Sequence, residues 1–162
     1  MGTWERAWEE FERMVTQPLP YELFCDQLRK FTPKEFVGLV FDLLRQMGVN
    51  DAKTGPVGAN GAIDILLDGD CIVQCKKWKA KVGVAIVREV LGAAVDKKVK
   101  GAIIVAVSEF TSKAQNFAKK TSPPVGLVNG NKLFYLMNQH MPRVVADIQE
   151  GIWKSQAGGV KQ

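Results

Sequence analysis

Two apolar runs, Ala62–Leu67 and Cys71–Trp78, meet at Asp68-Gly69-Asp70, and this junction constrains the fold more than any other stretch. Apolar runs of strand length around an Asp- and Gly-bearing turn predict a β-hairpin. Its register follows from polarity. A two-residue loop sets Asp64 against Val73 and Gln74 against Ile63, so that charged and apolar groups share both faces. A three-residue loop of Asp68, Gly69 and Asp70 sets Asp64 against Gln74. One face then carries Ile63, Ile65, Leu67, Cys71, Val73 and Cys75. The other carries Asp64, Gln74 and Lys76, together with Leu66 and Ile72. A slip of one residue exchanges the two sets, so the clean segregation selects the second register. Gly69 supplies the left-handed conformation that a three-residue loop with a G1 bulge requires.

A carboxylate, a carboxamide and an ammonium thus converge at one end of a sheet. Carboxylate oxygen is a hard ligand suited to Mg²⁺, which keeps several waters and borrows the rest of its shell from a phosphate. The Gln74 amide oxygen offers a second, weaker ligand, and the backbone carbonyl of Cys75 a third. A metal held there lowers the pKa of a bound water and neutralises charge on a phosphate. Lys76 is placed to orient the water or to stabilise developing negative charge. The competing reading is a strand pair whose polar face simply meets solvent, and the three residues alone do not overturn it.

The rest of the chain supplies a context. Trp4, Trp8, Phe11 and Val15 recur at helical spacing and predict a docked amphipathic helix over 4–15. Pro18 and Pro20 break it, and a short helix follows over 21–30. Thr32-Pro33-Lys34-Glu35 is a helix start with a capping box, leading into the stripe Phe36, Val40, Leu43, Leu44 and Met47, with Gly48 as the stop. Residues 51–61 are rich in Gly and read as a loop. After the hairpin come a helix over 83–98, a buried strand at Ala102–Val107 and a helix over 111–120. Val125–Val128 reads as a short strand, Asn129-Gly130 as a turn, Leu133–Met137 as a further short element, and 142–153 as a last helix. The order αββαβαβ from residue 33, with extra N-terminal helices, predicts an α/β domain with a mixed sheet flanked by helices. The expected division is a helical extension over 1–31, a single domain over 32–154 and a Gly- and Gln-rich tail over 155–162.

Composition narrows the partners. Residues 51–121 hold 12 basic and 7 acidic side chains, against 6 and 8 in residues 1–50, so the positive excess surrounds the hairpin. A local cationic surface favours a polyanion through counterion release. No apolar stretch approaches the ~20 residues that span a bilayer, and Met1–Arg6 lacks the features of a signal peptide. A cytoplasmic location is expected. Cys71 and Cys75 would stand roughly 13 Å apart along one strand, too far for a disulfide. A lone histidine, His140, offers no zinc site with them.

Five segments, in order, resemble the Mrr-like endonuclease family of the PD-(D/E)XK superfamily. They are the helix from Phe36 to Val49; Asn60-Gly61-Ala62-Ile63-Asp64-Ile65; Val73-Gln74-Cys75-Lys76-Lys77-Trp78; Val82-Gly83-Val84 with Val87-Arg88-Glu89 and Gly92-Ala93; and Ser108-x-Phe110-Thr111-x-x-Ala114 with Leu127-Val128-Asn129-Gly130 and Leu133. The resemblance implies a restriction-endonuclease-like core and hydrolysis of DNA phosphodiesters with Mg²⁺, for which Mn²⁺ can substitute. It makes Asp64 the metal ligand, Gln74 its companion and Lys76 the catalytic ammonium. Two positions depart from the family pattern. Val37 stands where a Glu is frequent, with Glu35 nearby as a substitute candidate, and Asn60 stands where an Asp is usual.

Around this core, Lys53, Asn60, Lys77, Lys79, Lys81 and Lys113 are candidate DNA contacts. Ser108 is a candidate hydrogen-bonding group or a turn residue, and His140 is read as structural. The expected partners are DNA, a second copy in a homodimer that cuts both strands, and a separate recognition subunit. Two alternatives share the fold: an inactive DNA-binding or assembly subunit, and a resolvase of branched DNA such as a Holliday junction.

Overall fold

The computed structural model describes residues 2–16, 20–54, 61 and 63–153, the side chains of 14–16 excepted. In chain order its elements are α1 (Thr3–Thr16), α2 (Pro20–Arg29), α3 (Pro33–Gln46), β1 (Ala52–Thr54), β2 (Ile65–Leu67), β3 (Cys71–Lys76), α4 (Val84–Lys97), β4 (Gly101–Ala106), α5 (Ser112–Ala118), β5 (Val125–Val128), α6 (Gly130–His140) and α7 (Pro142–Gln149). The five strands form one sheet in the order β1-β2-β3-β4-β5. The β1/β2 and β2/β3 pairs are antiparallel, and β3/β4 and β4/β5 are parallel. The architecture is the mixed α/β sheet that the element order implied.

Helices cover both faces of the sheet. Ile65 and Val73 belong to one apolar cluster with Phe24, Leu28, Leu39, Val40, Leu133 and Met137, from α2, α3 and α6. Ile72 and Ile104 belong to a second, with Val87, Val90, Ala94 and Ala114, from α4 and α5. Burial on both sides explains why β4 is a nearly continuous apolar run. Leu67 pairs with Cys71, Leu66 with Ile72 and Ile65 with Val73, the register that polarity selected.

Five details differ from the sequence reading. The segment read as a loop holds β1, which pairs its Lys53 with Leu66. Its three residues, Ala52-Lys53-Thr54, are too few and too polar to announce a strand. At the hairpin tip Asp68 joins Gly69 in the left-handed region, with φ of 49° and 70°, and Asp70 N–H donates to Leu67 O at 2.9 Å. Ile63 joins the cluster of Ile72 and not that of Ile65. The chain bends at Asp64, whose N–H donates to Val73 O, and a bend resets the alternation.

Asn129-Gly130 opens a helix, and the short element at 133–137 lies inside it. Asn129 caps α6, its side chain accepting from Lys132 N–H. Gly130 is required there, because a Cβ would collide with the Val107 carbonyl and the Tyr21 hydroxyl. Finally, α1 forms as the periodicity demanded but is not docked. Trp4, Trp8 and Phe11 are 68%, 48% and 64% exposed, and the two indoles stack on each other.

Candidate active site

The hairpin carries the site at its open end. β3 alternates its side chains, sending Ile72, Gln74 and Lys76 to the α4 side and Val73 and Cys75 to the α3 side. Gln74 is only 4% exposed. Its Oε1 accepts no hydrogen bond among the described residues. A buried carboxamide oxygen without a donor costs about 1–3 kcal/mol, a cost that packing alone does not explain.

Asp64 lies in the bend just before β2, and its Oδ2 accepts the Cys75 N–H at 2.8 Å. Burial raises its pKa above the ordinary carboxylate value. The Cys75 N–H and the Lys76 charge partly oppose that rise. The charge of Asp64, in turn, adds to the burial that pushes up the Cys75 thiol. Residues 64, 75 and 76 therefore share one electrostatic environment. Lys76 Nζ stands 4.9 Å from the centroid of the Trp78 ring, a cation–π contact that restrains the ammonium.

Backbone geometry adds an acceptor. The N–H and C=O of one strand residue point to the same edge. Lys76 O accepts from Val107 N–H on the β4 edge, so the Cys75 carbonyl points to the Asp64 edge with its own N–H. A carboxylate, an unpartnered carboxamide oxygen and a peptide carbonyl would together make an all-oxygen donor set, the chemistry that suits a hard divalent cation. No group of three or more His, Cys, Asp or Glu side chains with metal-binding geometry occurs among the described residues; of the three oxygens named here, one is a carboxylate and two are amide oxygens.

Against this geometry, the model of the Mrr catalytic domain, described as a restriction endonuclease, matches residues 28–137. The chain belongs to the Mrr restriction endonuclease family. A curated relative, the type IV methyl-directed restriction enzyme EcoKMrr of Escherichia coli (strain K12), is 30% identical over 122 residues. That alignment covers 69% of this chain and 40% of the relative. A solved structure, the DNA modification-dependent restriction endonuclease AspBHI, superposes with a TM-score of 0.59 at 17% identity. It covers 84% of this chain and 41% of the other. That likeness concerns the fold. The chain spans about 40% of the length of each.

The remaining candidates of this Mrr-family chain fall in different places. Glu35 is exposed and closes the capping box of α3: its Oε1 accepts Thr32 N–H at 2.8 Å, and its N–H donates to Thr32 Oγ1. Val37, at the position where the family pattern has Glu, packs against the α3-side core. Asn60 lies outside the described residues. Lys53 is exposed on β1, at the sheet edge. Lys77 Nζ donates to Arg29 O at the end of α2, which ties it to the scaffold.

Lys79 and Lys81 are exposed and line a cleft beside α2. Lys113 is exposed in the first turn of α5, and His140 is exposed at the end of α6. The three cysteines are free thiols, Cys25 buried and Cys71 and Cys75 partly so. Trp78 closes the motif at Val73-Gln74-Cys75-Lys76-Lys77-Trp78, and sequence reasoning assigns it no role. An aromatic two positions after the strand's lysine is the signal that could have singled it out. No helix among the described residues is long and apolar enough to cross a membrane.

Proposed function

We propose that this chain is a divalent-metal-dependent DNA endonuclease whose centre is Asp64, Gln74 and Lys76. The single observation that carries the reading is the buried, unpartnered Gln74 oxygen, one strand across from a desolvated carboxylate. Asp64, Gln74 Oε1 and the Cys75 carbonyl would hold Mg²⁺, with Mn²⁺ as a substitute. Such an ion, when bound, acidifies a water and neutralises phosphate charge. The chain's own groups do the rest. The Cys75 N–H fixes the Asp64 carboxylate in orientation, and the burial of Gln74 limits its rotation. Lys76, steadied by Trp78, presents a positive charge where negative charge develops on a phosphoryl oxygen or where the attacking water must be oriented. Glu35, held in its helix cap, is left out of this centre.

Lys53, Asn60, Lys79, Lys81 and Lys113 are assigned to DNA backbone contact, on the strength of the family and of the basic excess in residues 51–121. The relative is named as methyl-directed, and this chain matches 40% of it. Target choice is therefore assigned to sequence or a subunit beyond this domain, and cleavage of both strands to a homodimer. A plasmid-nicking assay tests the reading. Mg²⁺ should support conversion of supercoiled to open-circle DNA, and EDTA should stop it. Nicking unaffected by EDTA would refute it. The second reading, an inactive DNA-binding subunit, is favoured by Val37, a partly buried apolar residue packed against the core where the family pattern often has a carboxylate. DNA binding without nicking in any divalent ion would select it.

A further inference from the structure

We propose that α1 pairs, in parallel, with α1 of a second copy of this chain, through a seam of Trp4, Trp8 and Phe11. The contact gives an interface to the homodimer of the proposed function. It rests on that reading for its use and not for its formation. Spacing carries the argument first. Trp4, Trp8, Phe11 and Val15 follow one another by four, three and four residues, the alternation of d and a positions in a heptad. Every described side chain of α1, from Thr3 to Arg13, is exposed. The two indoles stack with centroids 5.6 Å apart, so they already present one continuous apolar strip. A helix of 14 residues that buries nothing is marginal alone in water, and takes its stability from a surface it packs against.

Charge selects the occupant. α1 holds four Glu and two Arg, an acidic balance that repels DNA phosphates and anionic lipid alike. A second copy escapes that repulsion. Arg6, Glu9, Glu10 and Arg13 take the b, c and f positions away from the seam, where Glu10 pairs with Arg13. Beside the seam, Glu5 and Glu12 stand at e, and Ala7 and Met14 at g. In a parallel pair e faces g of the other copy, so the Glu12 stem lies over Ala7 of the other helix. In an antiparallel pair e faces e, and Glu5 meets Glu12 twice. The parallel pair avoids this like-charge contact. It also starts α2 of both copies from the same end of the seam, which suits two domains acting on one duplex. Taking about 150–250 Å² for each aromatic side chain, the three rings at their observed exposures offer on the order of 350 Å² per copy. The pair covers roughly 700 Å², against about 1,200 Å² for a standing interface. It therefore belongs to the weak class, formed and lost in the micromolar range.

The test is sedimentation equilibrium of the full chain in EDTA, without DNA, across the micromolar range. The mean mass should rise with concentration from the 17.9 kDa of one chain towards twice that value. Trp8→Glu and Phe11→Glu should each raise the dissociation constant about tenfold or more, and should melt as the unaltered chain does at concentrations where both are monomeric. Arg6→Ala/Glu9→Ala, on the outer side of the helix, should associate as the unaltered chain does. Gly2→Cys should form an oxidised dimer that the unaltered chain does not, because a parallel pair brings the two helix starts together, whereas an antiparallel pair parts them by about 20 Å. An unaltered chain that stays monomeric throughout would overturn the pairing. So would seam variants that associate as before, or a lower melting midpoint in the dilute seam variants, which would return the face to the chain's own domain. Binding of a monomeric chain to vesicles of zwitterionic lipid, lost in Trp8→Glu, would give the seam to a lipid surface instead. Association of Gly2→Cys without cross-linking would overturn the parallel arrangement. A chain that associates through the seam but nicks no DNA would remove the catalytic reading and leave the pairing; nicking by a chain that stays monomeric would do the opposite.

Discussion

The two faces of the β2–β3 hairpin are built from the same short strands, yet they obey different rules. The α3 side presents Ile65, Val73 and Cys75 to an apolar cluster, and every side chain there has a packing reason. The α4 side places Gln74 among Ile72, Ile104 and Ala106, with its oxygen unpartnered, and Lys76 beyond it. A buried acceptor kept at a cost to stability, beside a carboxylate whose pKa burial has raised, is what the proposed function explains by a bound cation. On the proposed reading the α3 side only holds the fold, whereas the α4 side, covered by helices as well, also carries the chemistry, a division that substitution can break.

Lys76→Ala should produce the largest change. Single-turnover cleavage should fall by about 10² to 10³ while the thermal midpoint stays near that of the unaltered chain. Ile65→Ala, on the α3 side, should do the reverse. It removes a fully buried side chain and should cost about 2–5 kcal/mol in denaturant unfolding, with cleavage per folded molecule retained. Gln74→Leu mixes the two. It removes an unsatisfied acceptor at similar volume, so stability in EDTA should be equal or higher, while divalent-dependent cleavage drops about tenfold or more. A loss of stability there would mean that the carboxamide is a structural group.

The smallest effect concerns pH. Asp64 has a raised pKa in the fold, against about 3.9 unfolded, so the folded state binds the proton more tightly. Its contribution is fully present below the unfolded pKa and is lost as pH rises through the folded value. In EDTA, Asp64→Asn should therefore gain thermal stability over the unaltered chain at pH 7, and the gain should shrink towards pH 4. A gain that grows on acidification would contradict the desolvation of Asp64.

Much of this contrast is legible in the sequence alone. The hairpin register could be read because its loop is short and its alternation strict, so one slip would have mixed Asp64 and Gln74 with the core. The cap of α3 was legible for a similar reason, since Thr32 and Glu35 act within one turn. What depended on distant partners was not. The burial of Gln74 is set by α4 and the neighbouring strand β4, not by its own segment. Ile63 changed sides because of a bend at Asp64. α1 shows the limit most plainly: its periodicity specified a helix, but Trp4 and Trp8 are exposed because docking needs a complementary surface that periodicity does not encode. α6 carried its signal in Asn129 and in the four-residue spacing of Leu133 and Met137, but a strand-length apolar run obscured it.

The most direct measurement is the single-turnover rate of plasmid nicking by Asp64→Ala in Mg²⁺, with circular dichroism melts run beside it. If the carboxylate at the hairpin's open end is the group around which cleavage is organised, the rate should fall by about 10² or more in a protein that melts as cooperatively as the unaltered chain. Nicking at the unaltered rate, by a folded Asp64→Ala protein, would place the chemistry elsewhere in the molecule.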